Sequence, residues 1–227
     1  MKIRSKILIL LLAICQNGWT QGFVNLDFEH PILPLIPFGG TLPATSAIPG
    51  WTAYLDATAQ SAIFYDGVSL GGAAVTLEDT NATSLAPLPI QGHYSVLLEG
   101  ATSSGGSGNP TSASIGQTGT IPTTAKTLSF WGNNVSGMQV TFNGQPLSFM
   151  DISNALNYVI WGADISAYAG QTGQLLFTAI GNIPFATGGL IDNIQFSSVP
   201  IPEPAEFALA MFGALLLGFH YRRNRPG

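Results

Sequence analysis

The chain has 227 residues and a formal net charge of −5, with 8% of residues charged, 46% hydrophobic and 10% aromatic. Soluble chains average roughly 25% charged residues, so the polar surface here must come from Ser, Thr, Asn, Gln and Gly, while the apolar content excludes a disordered chain. Between residues 23 and 200 a single lysine, Lys126, faces ten carboxylates, a formal charge of −9. Such a surface repels phosphate backbones and anionic lipid, which excludes nucleic acid as a partner. The one cysteine, Cys15, lies near the N-terminus, so the body has no disulfide, thiol nucleophile or Cys-based metal site.

Lys2, Arg4 and Lys6 precede an unbroken apolar run over residues 7–14. That is the layout of a secretory signal peptide, too short for a spanning helix, and it is assigned to residues 1–21. Gly18 and Thr20 are the small residues near the cut, and Leu12-Ala13-Ile14-Cys15 leaves a lipoprotein cleavage as the alternative.

The body, residues 22–199, has no internal repeat and no long run of helix formers. Short segments rich in β-branched and aromatic residues are bounded by Gly, Pro, Asn and Asp. They predict strands over 23–28, 73–77, 93–99, 127–131, 139–142, 158–161, 175–180 and 190–196, the spacing of an all-β sandwich. Asn143-Gly144 predicts a two-residue hairpin turn, since both residues accept positive φ, with a return strand near Pro146 or Leu147. Residues 102–111, TSSGGSGNPT, read as a surface loop rather than a domain linker.

Gly67-Val68-Ser69-Leu70-Gly71 matches the nucleophile-elbow pattern, and Asp79 and His93 follow in the order of a hydrolase triad. The context opposes it: the chain continues into β-patterned segments, with no alternating strand and helix units to build a parallel sheet. His30 and His93 lack a second histidine at ligand spacing, which disfavours transition-metal chemistry. Asp192 shares a face with Leu190, Ile194 and Phe196 in a regular strand, a face expected to be core, so its carboxylate needs a partner. Backbone amides, a strand-end bulge and a bound cation are all open for that role. Trp51, Trp131, Trp161, Tyr54, Tyr65 and Tyr158 are candidate sugar-stacking rings. Core packing is expected for Trp51 in Pro49-Gly50-Trp51, whereas Trp131, followed by Gly132-Asn133-Asn134, is the best candidate for an exposed ring.

Asn25-Leu26-Asp27-Phe28-Glu29, Pro49-Gly50-Trp51, residues 94–98, 164–170 and Ile191-Asp192-Asn193-Ile194-Gln195-Phe196 resemble galactose-binding-like jelly rolls, a layout shared by many carbohydrate-binding modules. That resemblance implies a jelly-roll β-sandwich that binds polysaccharide. It also implies a structural calcium between first and last strands, held by Glu29 and Asp192 with Asp27 as a substitute; no other cofactor is required.

Pro200-Ile201-Pro202-Glu203-Pro204 leads into a mostly apolar stretch over 205–221, long enough for a transmembrane helix, and Arg222, Arg223 and Arg225 form a basic stop. Residues 200–227 thereby resemble the PEP-CTERM sorting tail, with Pro202, Glu203, Pro204 and the three arginines as its recognition elements. The resemblance implies an exosortase-type membrane enzyme as a partner. It also implies transient anchoring in the inner membrane with the body outside, then delivery to the cell surface or extracellular matrix. The expected function is that of a non-catalytic surface or biofilm-matrix binding module. A secreted glycan hydrolase and a structural coat protein without a small ligand are the alternatives.

Overall fold

The computed structural model describes residues 22–33, 40–69, 71–81, 87–101, 110–135, 137–181 and 187–201. The signal-peptide stretch and the sorting motif from Pro202 onward lie outside these residues, as does most of the 102–111 segment. Among the described residues no helix is long and apolar enough to cross a membrane.

Two stacked β-sheets carry the structure. The larger runs, from edge to edge, β1 (Thr41–Pro43), β4 (Ala62–Tyr65), β5 (Ala74–Asp79), β6 (Tyr94–Glu99), β14 (Gly188–Ser197), β8 (Thr127–Asn133), β12 (Val159–Asp164) and β11 (Met150–Asn154). The smaller runs β10 (Gln145–Pro146), β9 (Met138–Phe142), β13 (Thr172–Ala179), β7 (Ala113–Thr120), β2 (Thr52–Leu55) and β3 (Thr58–Gln60). Neighbouring strands are antiparallel except β4 and β5, where Phe64 stands beside Thr76 and Tyr65 beside Leu77. A single helical turn, α1 (Ala44–Ala47), links β1 to the Pro49-Gly50-Trp51 corner.

Period-2 alternation sends Val75 and Leu77 of β5, Val96 and Leu98 of β6, Leu128 and Phe130 of β8, and Ile115, Val140, Phe142, Leu175 and Phe177 of the smaller sheet into one inter-sheet core. Trp51 is buried there against Phe28 and Phe177, with ring centroids at 5.7 and 6.2 Å, and its indole N–H donates to the Asn25 carbonyl at 2.9 Å. Full burial of each such large side chain is worth about 1.5–3 kcal/mol.

Seven of the eight predicted strand segments coincide with observed strands to within a few residues. The segment 23–28 does not: Asn25 and Phe28 adopt φ of +49° and +57°, which breaks the strand after the Gly22–Thr120 bridge. Its backbone is instead tied by side chains, the Gln117 amide accepting from Val24 N–H at 2.6 Å and donating to the Val24 carbonyl at 3.0 Å. The Asn143-Gly144 turn closes the β9–β10 hairpin with φ of +50° and +75°.

The register of β14 corrects the expectation for Asp192. Asn193, at φ +46°, sits in a bulge where the β14–β8 register slips between Asp192 and Gln195. Ile191 and Ile194 therefore both point into the core, while Leu190 joins a second apolar cluster with Ile90 and Leu97 on the outer face of the larger sheet. Asp192, two residues from Leu190 and ahead of the bulge, lies on that outer face.

Candidate functional site

The outer face of the larger sheet is roofed rather than left to solvent. Ile90 from the chain before β6 clusters with Leu97 and Leu190, and Val68 from the turn after β4, Trp131 and Tyr158 pack against that cluster. The roof is pinned by carboxylates and a hydroxyl: Ser69 N–H donates to Glu99 Oε2 at 2.9 Å, Ile90 N–H to Ser95 Oγ at 2.9 Å and Gln91 N–H to Asp192 Oδ2 at 3.1 Å.

Beside this roof opens a cleft of about 200 Å³, lined by Pro87, Leu97, Glu99, Asn133, Asn134 and Leu190 together with the Gly188-Gly189 backbone. Asn133 pairs with Leu190 across the β8–β14 ladder, so its side chain and the Leu190 floor share the outer face. Asn134 turns out of the strand at φ +58°, and both asparagines are exposed. An apolar floor rimmed by amides and a carboxylate can hold a polar, ring-shaped ligand by stacking and hydrogen bonds together.

Trp131, two residues upstream of Asn133, is half-buried and stacks face to face on Tyr158, with centroids 4.4 Å apart and planes 8° apart. One face of its ring is thus covered. Of the other ring candidates, Tyr54 is half-buried with its hydroxyl 3.4 Å from the Gln174 amide nitrogen, and Tyr65 is a core residue whose hydroxyl donates to Asp79 Oδ2 at 2.6 Å. Trp161 packs on the core and lines a second cleft of about 300 Å³ with Phe130, Met138 and Phe149; its indole nitrogen is buried without a hydrogen-bond partner.

Asp192 is fully buried and accepts three hydrogen bonds, from Ser95 Oγ at 2.8 Å, Gln91 N at 3.1 Å and its neighbour Asn193 N at 2.6 Å. Burial pushes its carboxyl up to about 7 against these bonds, with Glu29 adding to the rise. Glu29 Oε1 accepts from His93 N at 2.8 Å and Tyr94 N at 3.1 Å. It occupies the space a side chain at Gly92 would need: a Cβ there would lie 2.1 Å from Oε1, and φ is +62°. The two carboxylates therefore clamp the 91–95 segment from both sides, and Glu29 Oε2 takes part in neither bond. Asp27 Oδ1 accepts the Glu29 amide at 3.4 Å and lies within the same N-terminal stretch. No group of three or more His, Cys, Asp or Glu side chains that could hold a metal ion is present among the described residues.

The elbow-like serine is engaged elsewhere. Ser69 Oγ donates to the Gly72 carbonyl inside a reverse turn, and His93 Nδ1 lies 3.4 Å from Thr80 Oγ1 on the exposed surface. Asp79 accepts from Tyr65, Asn81 and Thr80; burial works to raise its carboxyl, and these bonds outweigh it and hold it below the usual range.

Sequence reasoning missed the acidic row beside this face. Asp66, at φ +47° after β4, and Glu78 of β5 are 4% and 0% exposed. Burial pushes Asp66 up to about 6 and Glu78 up to about 8, the latter with help from Asp66 and Glu99. Glu78 alternates with Val75 and Leu77 as a solvent-facing strand residue would, and the pattern carries no sign of its burial.

No family model matches the sequence and no curated protein matches it. Among solved structures, the chain is similar to TmCBM61, a carbohydrate-binding module in complex with β-1,4-galactotriose, at 15% identity and a TM-score of 0.37 over 78% of this chain and 99% of that one. It is also similar to the enzymatically active domain of tailspike protein 4 of bacteriophage CBA120, at 14% identity and a TM-score of 0.36 over 66% of this chain and 19% of that one. The two-sheet architecture rests on the strand order above rather than on these likenesses.

Proposed function

We propose that this chain is an exported, non-catalytic module whose jelly-roll sandwich binds a neutral polysaccharide at the outer-face cleft. Its tail, sorted by an exosortase-type enzyme after transient anchoring in the inner membrane, delivers it to the cell surface or biofilm matrix. The observation that carries the reading is the cleft itself, where exposed Asn133 and Asn134 and the Glu99 carboxylate rim an apolar floor beside the Trp131–Tyr158 stack. Amides donate to and accept from sugar hydroxyls, and the floor takes the apolar face of a pyranose. The body's single lysine, Lys126, leaves little to hold an anionic polymer. Ser69, with its hydroxyl turned to the Gly72 carbonyl, is poorly set up as a nucleophile.

Retention of the protein on the producer's own exopolysaccharide tests this. Asn133→Ala with Asn134→Ala is expected to abolish retention while lowering the melting temperature by only a few degrees, since both side chains are exposed and the one strain is Ala at the positive φ of position 134. Trp131→Ala is expected to weaken retention, and Ser69→Ala to leave it unchanged. Retention unaffected by the asparagine pair, or cleavage of the polymer that disappears in Ser69→Ala, contradicts the reading.

A structural calcium bridging Glu29 and Asp192 belongs to the same proposal, with Glu29 Oε2 as the oxygen open to it. For sorting, replacing Pro202, Glu203 and Pro204 by Ala is expected to leave a membrane-retained precursor; export at wild-type size and rate contradicts it.

A further inference from the structure

Five buried side-chain oxygen or nitrogen atoms lack a hydrogen-bond partner among the described residues, and four of them belong to neighbouring residues of β5 and the turn after β4: Thr76 Oγ1, Glu78 Oε1, Glu78 Oε2 and Asp66 Oδ2. Thr76 and Glu78 alternate on the outer face of β5 and are each 0% exposed. The β4–β5 ladder ends at Tyr65 beside Leu77, and Asp66 N–H continues it by donating to the Leu77 carbonyl at 3.0 Å, which brings Asp66 alongside Glu78. Asp66 Oδ1 then accepts Asp79 N–H at 2.7 Å in the place of a backbone carbonyl, leaving Oδ2 over.

Each unpartnered buried polar atom is destabilising, and a buried charge more so. Protonating Glu78 removes its charge and supplies one donor for Asp66 Oδ2, yet it leaves the Asp66 charge buried, with the Thr76 hydroxyl the one other donor among these atoms. Among the described residues Lys126 is the one lysine or arginine, and no ion pair or hydrogen bond joins it to this cluster. The species that satisfies several clustered oxygens and two negative charges at once is a divalent cation with a preference for oxygen ligands.

We propose that Glu78, through both carboxylate oxygens, Asp66 Oδ2 and Thr76 Oγ1 bind a divalent cation of the calcium class, with water completing its coordination. The site joins β4 to β5, the one parallel strand pair among the described strands. It is separate from the Glu29–Asp192 pair, of which Glu29 Oε1 and Asp192 Oδ2 already accept the amides and hydroxyl of residues 91–95. It does not depend on the sugar-binding reading. Bound there, the cation fixes the start of the turn that leads from Asp66 to Ser69 and so to Glu99 at the cleft.

The test is calorimetric titration of the EDTA-stripped full chain with calcium, magnesium and manganese. Loss of even an outer-shell partner weakens a metal site by about 10- to 100-fold. Thr76→Val, which keeps the shape and removes an unpartnered hydroxyl, is therefore expected to weaken calcium binding by at least about ten-fold. Glu78→Gln is expected to abolish that calcium equivalent, and Glu29→Gln to retain it. If Glu78→Gln fails to fold, Thr76→Val decides. A wild-type chain that binds none of the three cations, binding undiminished in Thr76→Val, or binding lost only in Glu29→Gln overturns the assignment.

Discussion

Asp192 gathers three donors from two segments of the chain, and Glu29 receives two amides from residues 64 and 65 positions away. Removing an acceptor so that buried donors lose their partner is destabilising by about 1–3 kcal/mol, more when the acceptor is charged. Asp192→Ala is therefore expected to lower unfolding free energy in urea by about 2–4 kcal/mol; a loss under about 0.5 kcal/mol would show that the clamp is not structural. Gly92→Ala places a Cβ against Glu29 Oε1 at positive φ and is expected to cost about 1–3 kcal/mol by displacing the same carboxylate. The need of Asp192 for a partner was legible in the sequence, because a carboxylate among Leu190, Ile191 and Ile194 has no water to face. Its side of the sheet was not, because the bulge at Asn193 depends on one positive φ that an asparagine permits but does not announce.

At the level of elements, β14 shows what that one residue does. Without the bulge, strict alternation puts Ile194 on the face of Asp192; with it, Ile191 and Ile194 both enter the core. Asn193→Val, a β-branched residue that disfavours the positive φ the bulge needs, is expected to remove about 1–3 kcal/mol of stability, by straining the bulge or by losing it and turning Ile194 outward. A valine variant as stable in urea as the wild type would refute this. The β9–β10 hairpin was legible because Asn-Gly is a strong local signal. β7 was missed because Gly116 and Gly119 interrupt its apolar pattern, and its strand character comes from pairing with β13 and β2. β6, β8 and β14 were legible as β-branched and aromatic runs, but the roof over their outer face was not. That roof is set by contacts of Val68, Ile90 and Gln91 with residues far along the chain.

For the whole molecule, three buried acids set the response to pH. Glu78 at about 8, Asp192 at about 7 and Asp66 at about 6 all lie above their ordinary values of 4.5, 3.8 and 3.8, with Glu29, Asp79 and Glu99 as the charged neighbours facing them. A raised acid holds its proton longer in the folded state, so stability is greatest below the unfolded pKa and falls as pH rises to the folded one. In EDTA the slope is expected to be steepest between about pH 4.5 and pH 6, where all three contribute up to about 1.4 kcal/mol per pH unit each, and to flatten above about pH 8. Asp164, held below its usual range chiefly by the Ser166 amide, acts oppositely only at lower pH. Urea denaturation across this range that gave flat or rising stability would contradict the burial of these groups. The acidity of the same body also frames the central claim, that it binds uncharged polysaccharide through amides and an apolar floor rather than through charge. A binding isotherm on a neutral polysaccharide retained by the wild-type protein, measured at low and at high salt, tests that most directly. The account predicts an affinity that barely changes with salt and is lost with Asn133→Ala and Asn134→Ala. Binding that collapses as salt rises, or that survives the loss of both asparagines, would contradict it.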